Sequence, residues 1–381
     1  MTESINQDLT QELAERVAAA HGAGGPQRIQ GGGSKTWLGR TVAGEALEVA
    51  GHRGILGYEP TELVITARAG TPLAEIKAVL AERGQWLAFE PPHFDARLDP
   101  DGRPGADADA TLGGTIACGL SGPARPYAGS ARDFVLGVRI INGRGEVLRF
   151  GGEVMKNVAG YDLSRLMVGA QGTLGVLLEV SLKVLPRPAT DLTLALELTA
   201  GEAIDRFNRW AGQPLTLSAA CHDGERAYVR LAGSEAAVQA ARARLGGEAV
   251  GAGADFWRGV RELSHAFFRS PAPLWRLSLP PTAPHDPRLG RQFIDWGGAL
   301  RWVQGEQPQW PAAQALGGHA TYYGRGPAGQ PDLQAGGQAG DPPGGQVFQA
   351  LPPPLLALHQ RLKAALDPRG ILNPGRLYRD L

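Results

Sequence analysis

The residues with the clearest chemical potential are glycines in clusters. Gly31, Gly32 and Gly33 run into Ser34 and Lys35, and Thr111 and Leu112 lead into Gly113 and Gly114. Gly119 with Gly122, Gly151 with Gly152, Gly160, and the trio Gly169, Gly172 and Gly175 complete the set. All fall in the first half of the chain, between predicted strands. Consecutive backbone N–H groups in such turns can converge on one anion, and a missing Cβ lets the chain touch it. Several separate loops of this kind imply one extended ligand that bears phosphate. Two familiar phosphate loops do not fit. A Walker loop needs Lys directly after Gly and then a helix, whereas Ser34 intervenes here and Trp37-Leu38-Gly39 starts no helix. The run Gly169 to Gly175 is as rich in glycine as a dinucleotide fingerprint, but its spacing differs and a predicted strand follows it instead of a helix.

Side chains able to move protons are sparse. The eight histidines (21, 52, 93, 222, 265, 285, 319 and 359) show no HxxxH or HxH spacing, so no metal site is expected. His319, between Gly317-Gly318 and Ala320-Thr321-Tyr322-Tyr323, is the candidate base, with a hydrogen-bonded structural role as the alternative. His93 follows Pro91-Pro92 and is a weaker candidate of the same kind. Cys118 reads as a small buried residue beside the glycine loops. Arginine suits carboxylate recognition, but 33 Arg against 5 Lys in a chain rich in Ala, Gly and Pro looks like genomic bias, and no single Arg stands out.

Composition sets the outer bounds. The chain has 381 residues, 43% of them hydrophobic, which is enough for two or three domains with real cores. Its 38 basic and 38 acidic side chains cancel, which argues against nucleic acid as a partner. Two cysteines, 118 and 221, exclude a disulfide framework and an iron–sulfur cluster held by this chain alone. The first twenty residues carry Glu3, Asp8, Glu12, Glu15 and Arg16 and no apolar core, and no long apolar run follows, so a cytoplasmic chain is expected.

The elements that must position the loops are short. Leu9, Leu13 and Val17 predict a helix over 9–20 ending at Gly22. Strands are expected at 28–30, 63–67, 134–141, 146–150 and 176–185, with a hairpin turn at Asn142-Gly143-Arg144-Gly145. Thr71, Pro72 and Glu75 read as the cap and first turn of a helix that stops at Gly84. Composition changes at Pro186 to Thr190. Beyond it, strands alternate with helices at 202–211 and 234–245, which suggests a small α+β layer. Residues 94–109 and 326–346 are polar, rich in Gly, and read as insertions. Leu355 to Leu366 predicts a last helix.

Taken in order, several of these segments resemble a known family. They are Gln30 to Thr36, Glu90-Pro91-Pro92 with Ala110 to Gly114, Tyr127 to Asp133, and Val154 to Leu177, and they resemble the FAD-binding domain of the vanillyl-alcohol oxidase and D-lactate dehydrogenase superfamily. His52 to Gly54, Tyr58 to Leu63, Asp295 to Trp302, Gly317 to Thr321 and Asn373 to Arg376 are closer to the FAD-binding subunits of bacterial glycolate oxidases. The resemblance implies an α+β fold: a two-lobed FAD-binding domain of the PCMH type over 1–188, a smaller α+β cap over 189–324, a Gly/Pro linker over 325–349, and a C-terminal segment, 350–381, returning to the FAD domain. It implies that Gly31, Gly32, Gly33, Ser34, Lys35, Thr111, Leu112, Gly113 and Gly114 wrap the FAD pyrophosphate, and that Gly169, Gly172, Thr173, Gly175 and Val176 pass beside the cofactor. Pro91, Ser130, Asp133, Asn157, Gly160, Tyr161, Asp162 and Asn373 join the implied cofactor set. Members that attach flavin covalently often carry His in the first glycine loop. Ser34 and Lys35 stand there in this chain, so the expected FAD is non-covalent. Glycolate and D-lactate are the implied 2-hydroxy-acid substrates. The implied partners are a homologous catalytic flavoprotein subunit and an iron–sulfur subunit, with membrane contact only peripheral and through them. Whether this chain oxidises substrate itself or relays electrons stays open at this point.

Overall fold

The computed structural model describes residues 6–94, 110–152, 162–325 and 346–381. The expected sites Asn157, Gly160 and Tyr161 lie outside that range. The chain opens with α1 (Thr10–Ala23), β1 (Gln27–Gln30), β2 (Glu45–Glu48), β3 (Ile55–Glu59), β4 (Val64–Arg68), α2 (Leu73–Glu82) and β5 (Gln85–Trp86). It continues through α3 (Leu112–Cys118), α4 (Arg125–Ala128), α5 (Ala131–Phe134), β6 (Val135–Ile141), β7 (Val147–Gly151), α6 (Leu163–Leu166), β8 (Val176–Lys183) and β9 (Leu185–Pro186). In space β1 and β2 form a parallel pair, and β3-β4-β8-β6-β7 form an antiparallel sheet.

Packing explains these choices. β8 has seven buried positions in a row, which makes it a central strand covered on both faces, while β7 alternates at the sheet edge. Helix α1 inserts Leu13 and Val17, both at most 1% exposed, and its end runs on to Gly24, where φ is +69°. Thr71 does not cap α2. Its hydroxyl accepts from Gly54 N at 2.9 Å instead, so a tertiary bond takes the group that local sequence assigned to the helix, and Pro72 occupies the cap position.

A second layer begins with β10 (Thr190–Leu196), α7 (Ala200–Ala211), β11 (Leu217–His222), β12 (Ala227–Gly233), α8 (Glu235–Leu245), β13 (Glu248–Ala249) and α9 (Gly253–Arg261). It ends with β14 (Pro273–Ser278), β15 (Gln292–Asp295), β16 (Leu300–Gln304), α10 (Trp310–Ala315) and β17 (His319–Arg325). Its eight strands form one sheet in the order β13-β10-β12-β11-β15-β16-β14-β17. Thr199 and Ser234 cap α7 and α8 as polar side chains at that position should. Finally α11 (Pro353–Leu366) leads to residues 371–373, which hydrogen-bond along β1: Gln27 N to Ile371 O at 2.7 Å and Asn373 N to Gln27 O at 2.9 Å.

Candidate functional site

A cavity of about 580 Å³ opens where these parts meet. The end of β1 and the loop after it supply Arg28 to Val42 along one wall, and α3 supplies Gly113, Gly114, Ala117 and Cys118. Residues 170–172 with Gly175 and Leu177 form a third wall; Tyr322, Tyr323 and Gly324 of β17 form a fourth; Asn373 and Arg376 close it from the C-terminal segment.

Two glycines show why side chains are missing here. A Cβ on Gly31 would stand 2.7 Å from Thr111 Oγ1, so the first loop can press against the start of α3 only as glycine. Gly172 has φ of +74°, and its Cβ would meet Asn373 Nδ2 at 2.7 Å. Asn373 in turn accepts from Ile29 N at 2.8 Å and donates to Gln171 O at 2.7 Å, which fixes three walls to one another.

The electrostatics of the lining are one-sided. Arg28, Lys35, Arg40 and Arg376 face the cavity, and among the described residues no Asp or Glu lines it. Arg376 spends its donors on neutral oxygens: Gln171 Oε1 at 3.2 Å, Arg40 O at 2.7 Å and Thr36 O at 3.0 Å. Its charge is therefore left for something else, even though burial pulls its pKa down. Burial raises the pKa of the Cys118 thiol, which is thus held neutral. Four cations, glycine walls without Cβ atoms, and apolar surface from Ile29, Val42, Val49, Met167 and Leu177 suit a ligand with a doubly charged bridge between flat ring systems. FAD is such a ligand. Lys35, Arg376 and the Gly31–Gly33 backbone would hold its phosphates.

The expected residues divide. Gly31, Gly32, Gly33, Ser34, Lys35, Thr111, Gly113, Gly114, Gly172, Gly175 and Asn373 line the cavity together. Leu112 and Val176 point into the core, at most 1% exposed, and Thr173 is buried with its hydroxyl on Ala170 O at 2.7 Å. Gly169 packs against Gly119 behind α3. Ser130 and Asp133 form a reciprocal capping box on α5, and Asp162 caps α6, so both carboxylates serve helix ends. Pro91 is buried in the 87–94 run. His319 stands at the first position of β17, three residues before Tyr322, the first cavity residue of that strand. Sequence reasoning missed Arg28, Trp37, Arg40, Gln171, Tyr322, Tyr323 and Arg376. Arg376 directly follows Asn373-Pro374-Gly375, and that adjacency was the available signal.

A clasp holds the second layer against the loop beside the cavity. Glu262, just past α9, accepts from His93 N at 2.9 Å and Phe94 N at 2.8 Å through one carboxylate oxygen, while Arg261 holds the other at 2.6 Å. Lys35 reaches His93 O at 3.4 Å, which links the clasp to the first glycine loop. His93 itself has a pKa lowered to about 4, because it is buried and faces Lys77. Glu262→Ala strands two amide donors and should lower unfolding stability by about 1–3 kcal/mol, measured in urea. An unchanged midpoint would mean that water replaces the carboxylate without loss.

Among the described residues, no group of three His, Cys, Asp or Glu could hold a metal ion, and no helix is long and apolar enough to cross a membrane.

Comparisons with known proteins bear on both regions. Residues 8–151 match the family of FAD binding domains, and residues 347–377 match the C-terminal domain of FAD linked oxidases. The chain is 49% identical over 377 residues to glycolate oxidase subunit GlcE of Escherichia coli (strain K12), covering 98% of this chain and 99% of the relative. It is 33% identical over 140 residues to glycolate oxidase subunit GlcD of Bacillus subtilis (strain 168), which is 37% of this chain and 27% of that one. Among solved structures, alkyldihydroxyacetonephosphate synthase superposes with a TM-score of 0.59 at 14% identity, over 96% of this chain and 74% of that chain.

Proposed function

The chain belongs to the family of the glycolate oxidase subunit GlcE, with the α+β fold of PCMH-type FAD-binding proteins, and from that premise we propose that it is the FAD-bearing subunit of a complex that oxidises glycolate, and D-lactate beside it, to the 2-oxo acid. As an FAD-linked oxidoreductase acting on hydroxy acids it needs a flavin site, and the glycine-walled cavity, lined by four cations and by no acid among the described residues, is the observation that carries the reading. Bound FAD supplies a two-electron acceptor. The chain's own residues do the rest: Lys35 and Arg376 bind the phosphates, Asn373 orients the loops, and Trp37 and Tyr323 shield the junction with the second layer. Two cysteines cannot carry electrons onward through a cluster, so the reading includes an iron–sulfur partner and a homologous flavoprotein partner, with any membrane contact made through them.

Two measurements test this. The purified chain should carry flavin that acid precipitation leaves in the supernatant, because Ser34 and Lys35 occupy the first glycine loop, and Gly31→Val should remove it; yellow protein in the pellet would overturn the non-covalent assignment. Anaerobic mixing with glycolate should then bleach the flavin of the isolated chain. A flavin that bleaches only when the homologous partner is added would place the oxidation on that partner and leave this chain the role of relay.

A further inference from the structure

One feature beyond the cavity brings two arginines onto a single indole. Trp296 follows β15 and is 5% exposed, with its backbone at φ +53°, a strained value for a bulky residue. Its indole N–H donates to Gly122 O at 3.0 Å, across the junction of the two layers, and Asp295 Oδ1 accepts from its backbone N at 2.7 Å. Two arginines rest on this one ring: the Arg125 guanidinium, from α4 in the flavin-binding layer, lies 4.4 Å from the ring centroid, and Arg276, from β14 in the second layer, lies 4.9 Å from it.

Such stacking uses the faces of the guanidinium groups and leaves their N–H edges available. Among the described residues neither guanidinium makes a salt bridge within 4 Å or donates a hydrogen bond. The nearby acids act on the pair only through space and keep hydrogen-bond partners of their own. Asp133 accepts from Ser130 N and Oγ, both at 2.8 Å. Glu90 pairs with Arg230 at 2.8 Å, both side chains 7% exposed. Asp295 is buried, and that burial pushes its pKa up to about 7, which weakens it as a counter-charge. Two like charges rest on one indole, with no carboxylate hydrogen-bonded or salt-bridged to either guanidinium among the described residues; they repel each other, and an anion would relieve that repulsion.

Position adds the second half. Phe293, Trp302, Arg276 and Thr321 are successive cross-strand partners and so share one face of the sheet. Tyr323, two residues past Thr321, lies on that face, touches Trp302 at 4.9 Å and lines the flavin cavity. Arg276 therefore stands one rung, about 7 Å, from the cavity wall along the strand. On the other side, Gly122 lies four residues after Cys118, also a cavity residue.

The geometry points to Arg125 and Arg276 as a two-armed site for the carboxylate of a small 2-hydroxy or 2-oxo acid, held at the junction of the two layers beside the flavin cavity. The inference rests on the function proposed above and adds to it the residues that recognise the acid. Because one arm comes from each layer, a bound carboxylate also ties the layers together.

The test is calorimetric titration of the full chain, loaded with FAD, with oxalate, a planar acid that cannot be oxidised by hydride loss. One saturable site is expected at fixed ionic strength. Arg125→Met and Arg276→Met keep the aliphatic packing on Trp296 and should each weaken binding at least roughly tenfold, with flavin content and melting temperature retained. Arg276→Lys keeps the charge without the fork and should fall between. An FAD-loaded chain that binds neither oxalate nor glycolate overturns the site, and so do folded variants that bind like wild type. That failure stays separate from failure of the cofactor reading, which flavin absorbance of the same preparations reports directly.

Discussion

Replacing Lys363 with Met is expected to lower the thermal midpoint by roughly 6–20 °C, the equivalent of losing one partner of a buried ion pair. Lys363 is 7% exposed and uses all three of its donors: Asp367 Oδ2 at 2.8 Å, Thr173 O at 2.8 Å and Leu372 O at 2.6 Å. Burial lowers its pKa and Asp367 pulls it back up. Asp367, 1% exposed, also accepts from Ile371 N and Leu372 N, so it shapes the turn that brings residues 371–373 onto β1. Without the ammonium, a buried carboxylate keeps only amide donors, and two carbonyls lose their partner. Thr173 lies between Gly172 and Gly175, both cavity residues, so flavin retention should fall together with stability. Adding Asp367→Asn to the Met variant should recover part of the midpoint, since it removes the stranded charge and keeps an acceptor for the turn. A single variant that melts with wild type would show that water takes over the lysine's role.

That network also marks where sequence reading stops. The glycine loops were legible because a missing Cβ is a local property, written at each position, and ten of the residues in them do face one cavity. Hairpins and amphipathic helices were legible for the same reason: Asn142 to Gly145, and the Leu13 and Val17 stripe, need only their neighbours. Thr71 looked like a cap and was claimed by Gly54, seventeen residues away. Arg376 and Lys363 also act on loops roughly 190 to 340 residues distant, and the local signals beside them, the Asn373-Pro374-Gly375 turn and Asp367 four residues on, do not announce those distant partners. Arg125 and Arg276 were lost among 33 arginines until the fold placed them on one indole. Polar residues near glycine mislead in the opposite direction. Ser130, Asp133 and Asp162 have types suited to ligand contact, but helix ends need the same types, and here the nearer demand prevails.

Asp295→Asn should gain stability over wild type progressively from about pH 4 to pH 7 and hold the full gain at pH 8, with the gain already partly present at pH 5. Asp295 is 3% exposed, and burial lifts its pKa from the ordinary 3.8 to about 7, with Glu90 adding to the lift and Arg230 and Arg276 opposing it. Between those two values the folded chain keeps a proton that the unfolded chain has released, so this group's contribution falls as pH rises through the window. Above pH 7 the full penalty applies, on the order of 4 kcal/mol. Asparagine keeps an oxygen for Trp296 N and never ionises, so the difference in melting temperature between variant and wild type should open from about pH 4 to pH 7 and then level off, while groups common to both cancel. Parallel curves across that range would mean the carboxyl ionises freely where it stands. The sign matters for the junction between layers: Asp295 precedes Trp296, the indole on which Arg125 and Arg276 rest, so the charge that forms there as pH rises competes with a substrate carboxylate for Arg276. In the Asn variant that competition is gone, and oxalate affinity should lose the part of its pH dependence that wild type shows near 7.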